Sequence, residues 1–481
     1  LVNNQARWFL LPFMKQPRAM AAHPGWHVAV VTTFVGGAES IDMIEETVRA
    51  LRAMAYPHDT WVLDESDDAG VKRVCQQLGA YHFSRKHLPH YQTAEGLFQS
   101  ASKHGNYNAW LYETGFDRYD IISAFDPDHI PDRAFLTQVL GYFTDRRVGY
   151  VQVAQAYYNQ HASFIARGAA EETYAYYSSV QMASYGLGYP IVTGCHNTHR
   201  VSALKEVDGF APHDADDLLI TQLYRSRGWQ GVYVPKILAR GLTPVDWNGY
   251  LGQQRRWARS VLDLKIRPYT KLSRRVPWKT RAMSFLHGLN YIHKSVLIPV
   301  GLVLMAVVLA TGSAQNLLTW EFLSRVSLLA VTLQLCELYR QRFYLDWPRE
   351  WGSHWRAGLL QMAKWPYLLQ ALWDVALDRR LAYALTAKVR QASRPAVMMW
   401  PQLVVVMVIS LAWMVGTLSG NLVNPWLHIC AGAVVIPSLI LMMTERWTYP
   451  APYTRGGTDV HDSFPRPPHL VDEHSLSAEE S

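Results

Sequence analysis

Two carboxylates separated by a proline, Asp126-Pro127-Asp128, directly follow the apolar run Ile121-Ile122-Ser123-Ala124-Phe125. A run of β-branched and aromatic residues of this length predicts a buried strand. Pro127 fixes the backbone between the acids and denies it a helix, and Pro131 marks the turn into the next element. Side chains two apart on an extended segment point the same way, so Asp126 and Asp128 can reach one cation. Hard oxygen ligands of this kind suit Mg2+ or Mn2+, which completes its shell with water and substrate phosphate. Taken alone, an Asp-x-Asp after a strand reads equally well as a capping turn.

Other residues able to do chemistry lie on either side. Lys103-His104-Gly105-Asn106-Tyr107-Asn108-Ala109 offers a cation for a diphosphate, and its glycine and asparagines permit a tight turn with backbone near a ligand. The alternative is an ordinary turn into a helix. Asp214-Ala215-Asp216-Asp217 opens a helix running to about Arg227, and capping that helix explains one carboxylate but not three. Tyr250 to Arg259, with Gln253, Arg256 and Trp257, predicts a basic, aromatic amphipathic helix that also suits a membrane surface.

The elements that must position these groups alternate. Strands are expected at His27–Phe34, Thr60–Leu63, Ala80–Phe83, Ile121–Phe125 and Val148–Val153, with a helix over Ser40–Ala55. This rhythm predicts a mostly parallel α/β sheet of Rossmann-like type, with ligands at the carboxyl ends of the strands. Asp64, Arg85 and the Asp126/Asp128 pair all fall at such ends.

The second half is different. Strongly apolar stretches at Ser295–Ala310, Val326–Leu335, Val397–Leu418 and Leu422–Met443 predict four transmembrane helices. Thr311–Asn316 and Ser419–Asn424 carry no charge, whereas the connection from Glu337 to Pro395 is rich in arginine and lysine, which places it and the α/β domain on the cytosolic side. Residues 1–26 read as an interfacial segment following N-terminal transmembrane helices that the sequence lacks, 27–245 as the cytosolic domain and 246–284 as interfacial helices. Two spans follow at 285–336, then cytosolic interfacial helices over 337–396, two further spans at 397–445 and a disordered tail at 446–481. A net charge of +7 on 481 residues, much of it flanking the apolar runs, does not argue for nucleic acid. Four scattered cysteines imply neither a disulfide framework nor a zinc site. The 18 tryptophans suit bilayer interfaces and sugar-stacking channels alike.

In order, Asp64, Asp126-x-Asp128, Asp217 and Gln253-x-x-Arg256-Trp257 resemble the D, D-x-D, (T/E)-x-D, Q-x-x-R-W signature of processive family-two membrane glycosyltransferases, the synthases of cellulose, chitin and hyaluronan. Lys103 to Ala109 is similar to their K-x-G-N-x-N-A segment. Tyr383-Ala384-Leu385-Thr386-Ala387-Lys388 resembles the cellulose synthase gating-loop motif F-x-V-T-x-K. The resemblance covers about residues 27 to 445. It implies a cytosolic GT-A domain with a helical membrane domain, and Asp217 as the catalytic carboxylate. It also implies a nucleotide-binding set of Asp64, Lys103, Asp126, Gln253, Arg256, Thr386 and Lys388, and an acceptor set of Cys195, His196, Asp216 and Trp257. Mg2+ or Mn2+ would sit on Asp126 and Asp128. Two departures stand out: Ala215-Asp216-Asp217 replaces T-E-D, and Thr193-Gly194-Cys195-His196-Asn197 stands where F-C-G-(S/T)-x is usual.

The chemistry that follows is displacement of a nucleoside diphosphate by a sugar hydroxyl. Lys103 and Arg256 would stabilise the departing diphosphate, Asp217 would accept the hydroxyl proton, and Trp257 would stack on the acceptor ring. The expected function is a β-glycan synthase using a nucleotide sugar, UDP-glucose by default, in contact with membrane lipids and with accessory subunits left open. UDP-N-acetylglucosamine and GDP-mannose are alternative donors. Transfer to a lipid carrier and a catalytically silent scaffold are the rival functions.

Overall fold

The computed structural model describes residues 9–313, 316, 318–379 and 395–444. The N-terminal half is built on an eight-stranded sheet: β1 (Val28–Phe34), β2 (Asp59–Asp64), β3 (Tyr81–Phe83), β4 (Ile121–Phe125), β5 (Ile130–Pro131), β6 (Val148–Tyr157), β7 (Asn197–Arg200) and β8 (Gln230–Gly241). The spatial order is β3-β2-β1-β4-β7-β6-β8-β5. β1 is buried along its whole length, as its unbroken run of apolar and β-branched residues demands of a strand covered on both faces. The strands expected from the sequence fall within a few residues of β1, β2, β3, β4 and the first part of β6.

The parallel arrangement holds from β3 through β4 and between β6 and β8, while β7 runs antiparallel to both β4 and β6 and β5 antiparallel to β8. The sheet is therefore mixed. β7 has no hydrophobic alternation to reveal it, because its residues Asn197, Thr198 and His199 are polar and buried. Hydrogen bonds hold it instead: Ser123 Oγ meets Thr198 Oγ1 at 2.8 Å, and His199 lies between Tyr224 Oη at 2.9 Å and Asn197 Oδ1 at 2.7 Å.

Helices cover the sheet where local signals place them. Ser40 caps the helix Ile41–Arg52, its hydroxyl accepting from Met43 N at 3.2 Å. Asp68 caps Ala69–Leu78, and Gly79 ends that helix at φ 66°.

Four helices, Trp278–Thr311, Trp320–Arg340, Trp400–Leu418 and Pro425–Met443, are long and apolar enough to cross a membrane. The second is the least apolar, with a mean hydropathy of 1.3 against 1.9 or more for the others. The first begins at Trp278, inside the segment expected to hold interfacial helices, and runs for 34 residues. The first, third and fourth pack through Leu309, Ile409, Ala412, Leu427 and Ala431. Gly416 permits the crossing, since a Cβ there would lie 1.9 Å from the Leu309 carbonyl oxygen.

The connection between the second and third of these helices is fastened to the sheet domain. Its helix Trp355–Ala376 packs on the helices Trp247–Ile266 and Phe164–Glu171 through Leu360, Ala363, Phe164, Tyr250 and Leu251. Lys364 Nζ donates to both oxygens of Glu172, at 2.9 and 3.1 Å, and to Gln254 Oε1 at 3.1 Å. Arg255 donates to Asp374 at 2.6 Å. A buried ion pair adds little net stability but is costly to break, so these contacts fix one docking geometry.

Candidate active site

Asp126 is the first residue beyond β4, and the turn that carries it is held from outside: Thr47 Oγ1 donates to the Pro127 carbonyl at 2.6 Å. Across the cleft, Ser102 caps the helix Lys103–Trp110, which brings Lys103 Nζ to 2.6 Å from Asp126 Oδ1. The same ammonium donates to the Gly194 carbonyl at 2.7 Å. Burial opposes its charge, but Asp126 holds Lys103 protonated well above the usual range.

The Gly194 peptide joins this pair to the second acidic element. Its N–H donates to Asp217 Oδ2 at 2.9 Å, and Asp217 Oδ1 accepts from Leu218 N at 2.7 Å. Asp216 and Asp217 open the helix Asp216–Ser226. One cleft is lined by Lys103, Tyr107, Gly194, Asn197, Asp216 and Asp217. Burial first, then the neighbouring Asp216, push the Asp217 carboxyl up to about 7, and burial raises Asp216 as well. A carboxylate at this value accepts a proton at neutral pH and has real basicity when it does so.

Asp128 is buried. Its Oδ2 accepts from Leu242 N at 3.1 Å, and its Oδ1 lies 3.3 Å from His129 Nδ1. Asp126, Asp128 and His129 bring ligand atoms within 4.8 Å of one another. This oxygen-rich set, with one imidazole, fits Mg2+ or Mn2+. His129 was not among the residues singled out from the sequence; its place immediately after the acidic pair was the available signal.

Two other strand-end residues are held by dense hydrogen bonding. Asp64 ends β2 fully buried, accepting from Ser66 N at 2.8 Å, Asp68 N at 2.6 Å and His82 Nε2 at 3.1 Å, so it orders the loop beyond the strand. Arg85, also at a strand end, does not face the cleft. It is buried, paired with both Glu65 oxygens at 2.7 and 2.9 Å, and donates to the carbonyls of Tyr91, Phe98 and Gln99. Arg85→Ala should therefore act on stability, lowering it by about 3 kcal/mol or more. A thermal melt indistinguishable from wild type would show that the loop does not depend on it.

Lys103 to Ala109 forms a helix, not the tight turn its glycine and asparagines suggested. A Cβ at Gly105 would lie 2.3 Å from the Gln99 carbonyl oxygen and 2.6 Å from Arg85 Nη1, so glycine serves close packing. Asn106 donates to the Leu63 carbonyl at 3.0 Å. Asn108 donates to the Phe210 carbonyl at 2.9 Å and accepts from Phe210 N at 2.7 Å. Only Lys103 of this segment reaches the cleft through a charged group.

Gln253, Arg256 and Trp257 share one face of the helix Trp247–Ile266 by their i, i+3, i+4 spacing, and Trp257 is 39% exposed. The helix is packed within the protein along Tyr250, Leu251, Ala258 and Val261. Two contacts tie it to the acidic segment: Arg259 with Asp214 at 3.1 Å and His213 with Asp263 at 3.0 Å. Cys195 and His196 are buried beside His129. The gating-like segment with Thr386 and Lys388 lies outside the described residues.

Known proteins resemble this chain in sequence and in fold. Residues 24–260 match the family described as glycosyltransferase like family 2. Cellulose synthase 2 of Novacetimonas hansenii is 26% identical over 262 residues, 53% of this chain and 16% of its own length. The cellulose synthase catalytic subunit of Xanthomonas axonopodis pv. citri is 24% identical over 265 residues, 52% of this chain and 34% of its own. The aligned stretches thus span well under two thirds of these relatives' length. Beta-monoglucosyldiacylglycerol synthase of Synechocystis is 27% identical over 227 residues, 45% of this chain and 44% of its own length. A mannosyltransferase from Pyrobaculum calidifontis, solved with GDP-Man and Mn2+, shares the fold: the TM-score is 0.53 at 17% identity, over 79% of this chain and 95% of that one.

Proposed function

Because the chain is a cellulose synthase-like, family-two glycosyltransferase with a GT-A fold, we propose that it is a processive, inverting membrane polysaccharide synthase. The observation that carries this reading is the Gly194 bridge. It sets a carboxylate titrating near 7 beside a lysine–aspartate pair able to handle a diphosphate, within one cleft.

The donor would be a nucleotide sugar, UDP-glucose by default, with its diphosphate near Lys103 and the Asp126/Asp128 turn. Mg2+ or Mn2+ held by Asp126 and Asp128 would supply Lewis-acid neutralisation of the diphosphate. Lys103 would exchange its contact with Asp126 for the phosphate oxygens, meeting charge that grows as the leaving group departs. Asp217 would take the proton from the acceptor hydroxyl, and a single displacement inverts the anomeric centre. Trp257, exposed on its helix, offers an apolar ring face to a pyranose, and Arg256 one turn away offers a further cation.

A screen of nucleotide sugars with the purified full chain in detergent or vesicles, followed by linkage and length analysis, tests the reading. Long β-linked glycan from one donor is the expected result; single-sugar transfer to a lipid would replace it. That second reading is favoured by the similarity to a glucosyldiacylglycerol synthase.

The proposed topology puts the sheet domain and the 337–396 connection on the cytosolic side. Cysteines introduced at Asn316 and Asn421 should react with an impermeant reagent added outside intact cells, and one at Arg379 should not. Labelling at Arg379 from outside would overturn the arrangement of spans.

A further inference from the structure

Three buried side chains behind the Asp126/Asp128 turn converge in a way that transfer chemistry does not explain. Cys195 Sγ lies 3.5 Å from His129 Nε2 and 3.8 Å from His196 Nε2, and each of the three residues offers a ligand atom within 4.8 Å of the others. All three residues are at least 97% buried. A tetrahedral ion with sulfur at about 2.3 Å and nitrogen at about 2.0–2.1 Å separates those ligands by about 3.6 Å. The two sulfur–nitrogen distances bracket that value. We propose that His129, Cys195 and His196 form a binding site for one soft-to-borderline divalent ion, Zn2+ in the first instance, distinct from the oxygen-rich site on Asp126 and Asp128.

His196 is held in an unusual setting. The His196 ring is completely buried, its Nδ1 has no hydrogen-bond partner among the described residues, and its Nε2 has only the cysteine sulfur. Coordination at Nε2 would replace that weak sulfur contact with a metal bond. Its backbone is also held at φ 37°, a region a side chain of this size rarely adopts, and such strain persists where surrounding structure demands a particular side-chain direction.

The His129 ring is held between two elements. Tyr177 donates to Gln155 Oε1 at 2.6 Å, which turns the Gln155 amide nitrogen toward His129 Nε2 at 3.3 Å. On the other edge of the ring, Nδ1 lies 3.3 Å from Asp128 Oδ1. A carboxylate behind a ligating histidine is the usual second partner in zinc sites. Gly241 leaves the room the ring needs, since a Cβ there would lie 2.2 Å from Nε2. Three protein ligands leave one corner of the tetrahedron for water. The ring of His129 then links the two sites, one edge toward the thiolate and the other toward Asp128. The site is independent of which sugar is transferred.

Metal content of the full chain tests this without an activity assay. Chain stripped with chelator and titrated with Zn2+ against a chromophoric competitor should take up one tight equivalent, and with Co2+ it should show a thiolate-to-cobalt charge-transfer band. Cys195→Ser should abolish that band and weaken Zn2+ uptake at least about tenfold, with His196→Asn weakening it similarly. Asp126→Asn should retain both. Absence of the charge-transfer band in wild type overturns the proposal whether or not the variants fold. Tight uptake lost in Asp126→Asn and kept in Cys195→Ser overturns it too, by placing the ion on the aspartates.

Discussion

Asp217→Asn should reduce glycosyl transfer by about 10^2- to 10^4-fold while leaving nucleotide-sugar affinity nearly unchanged, because a general base acts in the chemical step. The pH profile sharpens the expectation. With the carboxyl pushed up to about 7, wild-type turnover should rise as pH passes through 7 and the base loses its proton, and the residual activity of the variant should lack that limb. Stability should move the opposite way. The group titrates higher in the folded chain than its ordinary 3.8, so the folded state binds more protons and stability falls as pH rises between those two values. Asparagine has no charge to bury, so the variant should melt at a higher temperature than wild type at pH 8, and by a smaller margin at pH 4. Loss of donor binding in Asp217→Asn would reassign the residue to the nucleotide site, and an unchanged profile would remove it from the proton path.

Asp126→Asn and Asp128→Asn should each lower turnover by about 10^3-fold or more, since several kcal/mol of charge neutralisation at the diphosphate is at stake. The two need not behave alike in other respects. Asp126 is partly exposed and pairs with Lys103 at 2.6 Å, so its amide should free the ammonium and weaken donor binding chiefly through the metal. Asp128 is buried between Leu242 N and His129. Its amide should also perturb the His129 ring and lower thermal stability. Equal melting temperatures for both variants would contradict the buried role of Asp128, and full activity of either in chelator would remove the metal from the reaction.

Much of this protein is legible in its sequence. β1 and β4 are continuous apolar runs, and covering both faces of a strand leaves few other patterns, so their ends and the acidic turn beyond β4 followed from the sequence. The four long apolar helices were also readable, because length and apolarity are what a bilayer requires. The order of acidic and aromatic motifs was enough to indicate a family-two glycosyltransferase.

Other features depend on which distant segments meet. Residue type and strand-end position suggested that Arg85 belonged to the site, yet its guanidinium closes a loop around Glu65. β7 was invisible because it is polar, and a polar strand is stable only when its partners are supplied by neighbours such as Ser123 and Tyr224. The Gly194 peptide, bonded to Lys103 on one side and Asp217 on the other, joins groups 91 and 23 residues away in the chain. Cysteines with no metal-ligand spacing implied no zinc site, whereas folding brings Cys195 against His129, 66 residues earlier. Local sequence determined the strands, the caps and the apolar spans, because periodicity and propensity act over a few residues. Tertiary structure alone decided which carboxylate is raised, which cation faces the cleft and which imidazole is buried with one nitrogen unpaired, because burial and charge proximity belong to the packed chain.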